Sequence, residues 1–185
     1  KNKKKAFHFL LNELLVYTAD QKKNIQNVIK LEQKNSKLFT SDIRKNAILF
    51  FISDLLNQVL RNENQNQNIY SEISLFLSQL QMDNFQSHFI FIFRLPKQQG
   101  LQPLFSDKIY LNPESGNFED IESHHFFNQD ISAIWKELIV SQNPYDIRLS
   151  RLGKQNFLDS VLVYFHYHFT DFREPKSLEI IKEIF

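Results

Sequence analysis

Eight cations crowd the front of the chain: Lys1, Lys3, Lys4 and Lys5 in one run, Lys22 beside Lys23, and Arg44 beside Lys45. Clustered ammonium and guanidinium groups suit a phosphate backbone, because each phosphate they neutralise releases a condensed counterion. The full 185-residue chain carries a net charge of only +1. Divided after Lys45, residues 1–45 hold 11 Lys and Arg against 4 Asp and Glu, a balance of about +7, and the rest is left at about −6. A basic front on an acidic body reads as a nucleic-acid footprint. A chain rich in Lys, Asn, Ile and Phe also reads as the product of an AT-rich coding sequence, so charge alone leaves both readings open. Phe7, Phe9 and Tyr17 stand among these cations, where they either stack on bases or fill a core.

Other reactive residue types are sparse. His124 and His125 follow Glu122, and His166 and His168 lie two apart on an expected helix, where side chains diverge by about 200° instead of meeting at one ion. These read as surface or half-buried histidines, and neither a metal nor another cofactor is expected. There is no Gly-rich phosphate loop, no nucleophile elbow and no HExxH. With three Gly and no Cys, the chain lacks material for a phosphate cradle, a thiolate metal site or a disulfide framework. An enzyme is therefore not expected.

The elements that would position the cations follow from periodicity. Phe7 to Tyr17 and Ile25 to Leu31, divided by a polar turn, fit two antiparallel strands, and an isolated pair needs further partners to be stable. From Thr40 or Ser41, either of which can cap a helix, Ile43, Ala47, Ile48, Phe51, Ile52, Leu55, Leu56, Val59 and Leu60 share one face. Further helices are expected over Ile69 to Gln81 and over Phe85 to Leu95, the latter stopping at Pro96. Residues 98–129 lose the helical pattern, and Lys108 to Phe118 reads as a small hairpin turning through Pro113 to Gly116. Helical periodicity resumes around Trp135, Phe157 to Phe169, and Leu178 to Phe185. With 19 Phe and one Trp, the core should be phenylalanine-rich. No segment approaches the roughly 18 apolar residues of a membrane span, and the Lys-rich start lacks the apolar run of a secretory signal. The fold class expected is α+β, mainly α.

The order of these pieces resembles the bacterial recombination mediator family RecO. The resemblance rests on the basic segment followed by Leu10 to Tyr17, on Asp42 to Leu56, and above all on the ending Tyr164 to Phe185, an aromatic helix, a short turn and a final helix containing Lys176-Ser177-Leu178. It implies that residues 1–37 are the closing strands of an oligonucleotide-binding barrel whose earlier strands lie upstream, in keeping with a start at Lys1 and not at Met. It further implies a helical domain over residues 38–185 with an irregular insert at about 101–128. Many members carry a four-cysteine zinc module there, and this chain has none of those cysteines.

The resemblance implies a cytoplasmic, nucleoid-associated protein that binds single- and double-stranded DNA, anneals strands, and helps RecR load RecA. The tail of single-stranded DNA-binding protein is an implied partner. The helix that would receive that tail offers only Arg94. The competing expectation is a helical protein-interaction domain with no direct DNA contact.

Overall fold

The computed structural model describes residues 10–19, 25–34, 41–61 and 65–184. Lys1, Lys3, Lys4, Lys5, Lys22, Lys23, Phe7, Phe9 and Thr40 lie outside the described residues. As the sequence indicated, the chain is α+β and mainly α, with six helices and two small antiparallel sheets among those residues.

The first sheet pairs β1 (Leu14–Thr18) with β2 (Val28–Gln33), Val16 opposite Leu31 and Tyr17 opposite Lys30, with a register shift between Tyr17 and Thr18. Apolar side chains are exposed on both faces, Leu15 at 45% on one and Val16 at 52% on the other, while Leu14 and Leu31 are half-buried.

Asp42 opens α1 (Ile43–Val59), its carboxylate accepting from the Arg44 N–H. Ser41 is thus not the cap: the acid one residue later reaches an orphan first-turn donor. Ile48, Phe51, Ile52 and Leu55 bury the expected face, whereas Ile43, at the first helical position, projects into solvent.

Asn66 caps α2 (Gln67–Gln81) by accepting from the Asn68 and Ile69 N–H groups. The next helix, α3 (Ser87–Gln98), runs through Pro96 instead of stopping there. A proline in the last turn removes one hydrogen bond without ending the helix. The stop is Gly100, at φ +73°, which lets Leu101 N–H reach the Pro96 carbonyl at 2.8 Å and Gly100 N–H reach that of Lys97 at 3.1 Å. That pair of bonds is a Schellman motif, which favours glycine at the left-handed position.

The expected hairpin forms from β3 (Tyr110–Asn112) and β4 (Asn117–Glu119), turning through Gly116 at φ +68°. Leu111 is fully buried and Phe118 nearly so. The hairpin docks on α4 (Gln129–Val140) and α5 (Arg151–His168) through side-chain bonds. Ser132 Oγ accepts from Leu111 N–H at 3.0 Å and donates to the Phe127 carbonyl at 2.8 Å. Tyr164 O–H donates to the Leu101 carbonyl at 2.7 Å, and His168 Nε2 meets the Pro113 carbonyl at 2.8 Å. Trp135 sits between Phe93, Phe127, Phe157 and Tyr164, its indole N–H donating to Ser160 Oγ at 2.9 Å.

The short helix α6 (Leu178–Ile184) closes on α1, where Ser177 donates to Asp54 and the Arg173 N–H donates to Gln58. No helix among the described residues is long and apolar enough to cross a membrane.

Candidate nucleic-acid interface

The turn between α2 and α3 gathers the described cations of interest. Asp83, at φ +61°, ends α2 in the left-handed conformation, with its N–H on Leu80 and the Asn84 N–H on Gln79. Aspartate tolerates this conformation better than most residues. Here its carboxylate also holds Lys45 Nζ at 2.8 Å. Arg44 lies over the Phe85 ring, 4.0 Å from its centroid, and pairs with Asp42 at 3.0 Å. The Arg44 guanidinium holds the Asp42 carboxyl below the usual carboxylate range, chiefly through their side-chain hydrogen bond. Both sequence-selected cations in the described part are therefore matched by acids, and the Lys45 side chain is only 13% exposed.

The first hairpin shows the same matching. Lys34 pairs with Glu13 at 2.7 Å, Lys30 pairs with Glu32, and Tyr17 O–H donates to Glu32 at 2.9 Å with its ring beneath Lys30. Tyr17 itself is 46% exposed. Tyr70 on α2 donates to Glu13, and both border an open groove of about 360 Å³ lined also by Leu11, Ile73 and Leu77.

Sequence reasoning passed over a second set. Gln86, almost buried, grips the segment before α5 with both ends of its amide: Nε2 donates to the Ile147 carbonyl at 2.8 Å, and Oε1 accepts from Leu149 N–H at 3.3 Å. Asn84 adds a bond to the Tyr145 carbonyl at 3.2 Å. Between the two gripped residues Arg148 projects outward, touching Asn84 Oδ1 at 3.3 Å. Ser150 then caps α5 by accepting from Gly153 N–H, and Arg151 and Lys154 follow. None of the three makes an ion pair among the described residues. The signal that would have found them is an acid-free run, Ile147 to Leu158, with cations every third residue.

Beneath this end lies His88, fully buried, edge-on to Phe51 at 6.4 Å. Burial pushes its imidazole down to about 3, and the charge of Lys154 adds to the effect.

Arg94 is committed elsewhere. Its Nε donates to Glu72 Oε2 at 2.7 Å and its Nη2 pairs with the other carboxylate oxygen, tying α3 to α2. The nearby Tyr145 hydroxyl is raised above its ordinary range, first by burial and then by the Glu72 charge. The histidines are likewise occupied locally: His124 Nδ1 accepts from Phe126 N–H at 3.2 Å, and its ring stacks on His125. No group of three His, Asp or Glu converges as a metal site among the described residues.

Residues 40–127 match the family described as Recombination protein O C terminal. DNA repair protein RecO of Christiangramia forsetii is 29% identical over 151 residues, covering 76% of this chain and 62% of the relative. DNA repair protein RecO of Bacteroides fragilis is 25% identical over 93% of this chain and 77% of the relative. That of Porphyromonas gingivalis is 27% identical over 95% and 77%. The chain thus spans about three fifths of the length of the Christiangramia relative. No solved structure matches. The family match runs from the start of α1 through the β3–β4 hairpin, and the similar relatives, all proteins named DNA repair protein RecO, align over most of this chain.

Proposed function

We propose that the chain acts in DNA repair as a non-enzymatic recombination mediator, binding single- and double-stranded DNA, annealing complementary strands and helping RecR load RecA. The observation that carries this reading is the shared likeness to proteins named DNA repair protein RecO over most of the chain. In this reading residues 1–37 belong to an oligonucleotide-binding barrel and present Lys1, Lys3, Lys4, Lys5, Lys22 and Lys23 to phosphates, with Arg44 and Lys45 at the border of the helical domain of residues 38–185. The tail of single-stranded DNA-binding protein docks on the helical domain, and the protein works in the cytoplasm at the nucleoid.

A second reading has a specific observation behind it. Arg44, Lys45, Lys30 and Lys34 are all ion-paired, as a protein-binding domain without DNA contact would have them. Fluorescence anisotropy of labelled single-stranded DNA across a salt series separates the two. A mediator loses affinity steeply with salt, and changing Lys3, Lys4, Lys5, Lys22 and Lys23 to Glu flattens that dependence. Absence of binding at low salt, with capture of purified RecR, would establish the second reading instead.

A further inference from the structure

The helical body is acidic overall, so a row of cations retained there without acids calls for a reason. Arg148, Arg151 and Lys154 form such a row: spaced by three and free of ion pairs among the described residues, they lie in a run with no acid from Ile147 to Leu158. The first turn of α5 likewise contains no acid, although a helix start favours one. The row is held in place: Gln86 grips Ile147 and Leu149 on either side of Arg148, and the Ser150 cap fixes the turn that presents Arg151 and Lys154. Residues three apart on a helix are surface neighbours, so Arg151 and Lys154 adjoin on the first turn of α5, and Arg148 precedes them on the segment that leads into it.

The α2–α3 turn brings this line to the end of the molecule that carries Arg44 and Lys45. Asn84 touches Arg148, its chain neighbour Phe85 lies under Arg44, and Asp83 pairs with Lys45. α3 and α5 also start together there, with Gln86 beside Leu149, and they finish together, with Leu101 beside Tyr164.

We infer that Arg148, Arg151 and Lys154 form a second phosphate-binding strip, on the helical body, that tracks the backbone of single-stranded DNA. The inference rests on the proposed DNA-binding function and adds to it a surface on the helical body. A nucleic-acid backbone suits the row better than an acidic peptide with an apolar end. The cations are strung along an extended segment and one helical turn, whereas the open apolar groove lies on the α2 flank and is lined by none of them.

The test compares the full chain with a variant carrying Arg148→Glu, Arg151→Glu and Lys154→Gln, and with a control carrying Arg173→Glu and Lys176→Glu at the other end of α5. The probe is a labelled oligothymidylate titrated across a salt series. The strip variant should bind at least about tenfold more weakly, with a salt slope smaller by about 2, while the control stays within about twofold of the parent. A milder variant with Gln at all three positions, checked by Trp135 fluorescence, guards against misfolding and should show the same slope change. Parental affinity and slope in a folded strip variant would overturn the strip and leave the wider DNA-binding reading intact. Lack of binding by the parent chain would overturn both. A strip variant that binds DNA normally but no longer binds an acidic peptide would reassign the row to a protein partner.

Discussion

The molecule contains two antiparallel hairpins whose fates differ. The β1–β2 pair is longer, five residues against six, yet Val16, Tyr17 and Ile29 remain in solvent and its described side-chain bonds join polar groups at its surface. The β3–β4 pair has three residues per strand, yet it buries Leu111 and Phe118 and is held to α4 by Ser132 and to α5 by His168. The number of ladder bonds therefore does not decide which hairpin is secured. A two-stranded sheet gains its stability from what its faces cover, and among the described residues the shorter pair has the more deeply buried side chains.

The largest expected contrast comes from Phe118→Ala, which empties a buried position under Lys136 and should cost about 3–5 kcal/mol in a urea melt followed by Trp135 fluorescence. A cost below 1 kcal/mol, on the order of a surface change, would mean that the short hairpin is not part of the core. Acid is the next lever. Folded His88 stays neutral down to about 3, whereas the unfolded chain takes up its proton below about 6.5. Its contribution is therefore fully present above 6.5 and declines as the pH falls from 6.5 towards 3, by up to about 1.4 kcal/mol per pH unit. Between pH 6.5 and 4.5 the urea midpoint should drop accordingly, with body and short hairpin melting as one unit and His88→Leu flattening the trend. Separate melting of the short hairpin would show that its side-chain bonds do not couple it to the body.

Ser132→Ala leaves the buried Leu111 N–H unpaired and should cost about 1–2 kcal/mol, visible as a lower thermal midpoint. Smallest of all is Val16→Thr in the open hairpin, expected to change stability by less than about 0.5 kcal/mol in the same assay. A larger loss there would mean that the open face is covered in solution.

Local signals carried most of the fold. The broad apolar face of α1, the polar break before α2 and the Pro113 to Gly116 turn of the short hairpin can all be read within a few residues of one another. The end of α3 was misassigned because a proline was weighed above a glycine four residues later, and the backbone obeys the glycine. Ser132 and Gln86 were not legible at all, since the groups they bind lie 21 and 61–63 residues away along the chain. The cations divide in the same way. Arg44 and Lys45 stand out in the charge count, but the pairing of Lys45 with Asp83 and the contact of Arg148 with Asn84 emerge only from the fold.

The closure of α6 on α1 joins residues 115 to 123 positions apart, Gln58 to Arg173 and Asp54 to Ser177. During synthesis, which proceeds from the N-terminus, α1 therefore waits with that flank uncovered until Ser177 has been added. A ribosome stalled before Ser177 would hold a chain whose first helix had already met α3 but whose final seam stood open. That seam is the place where a chaperone would find the nascent protein longest.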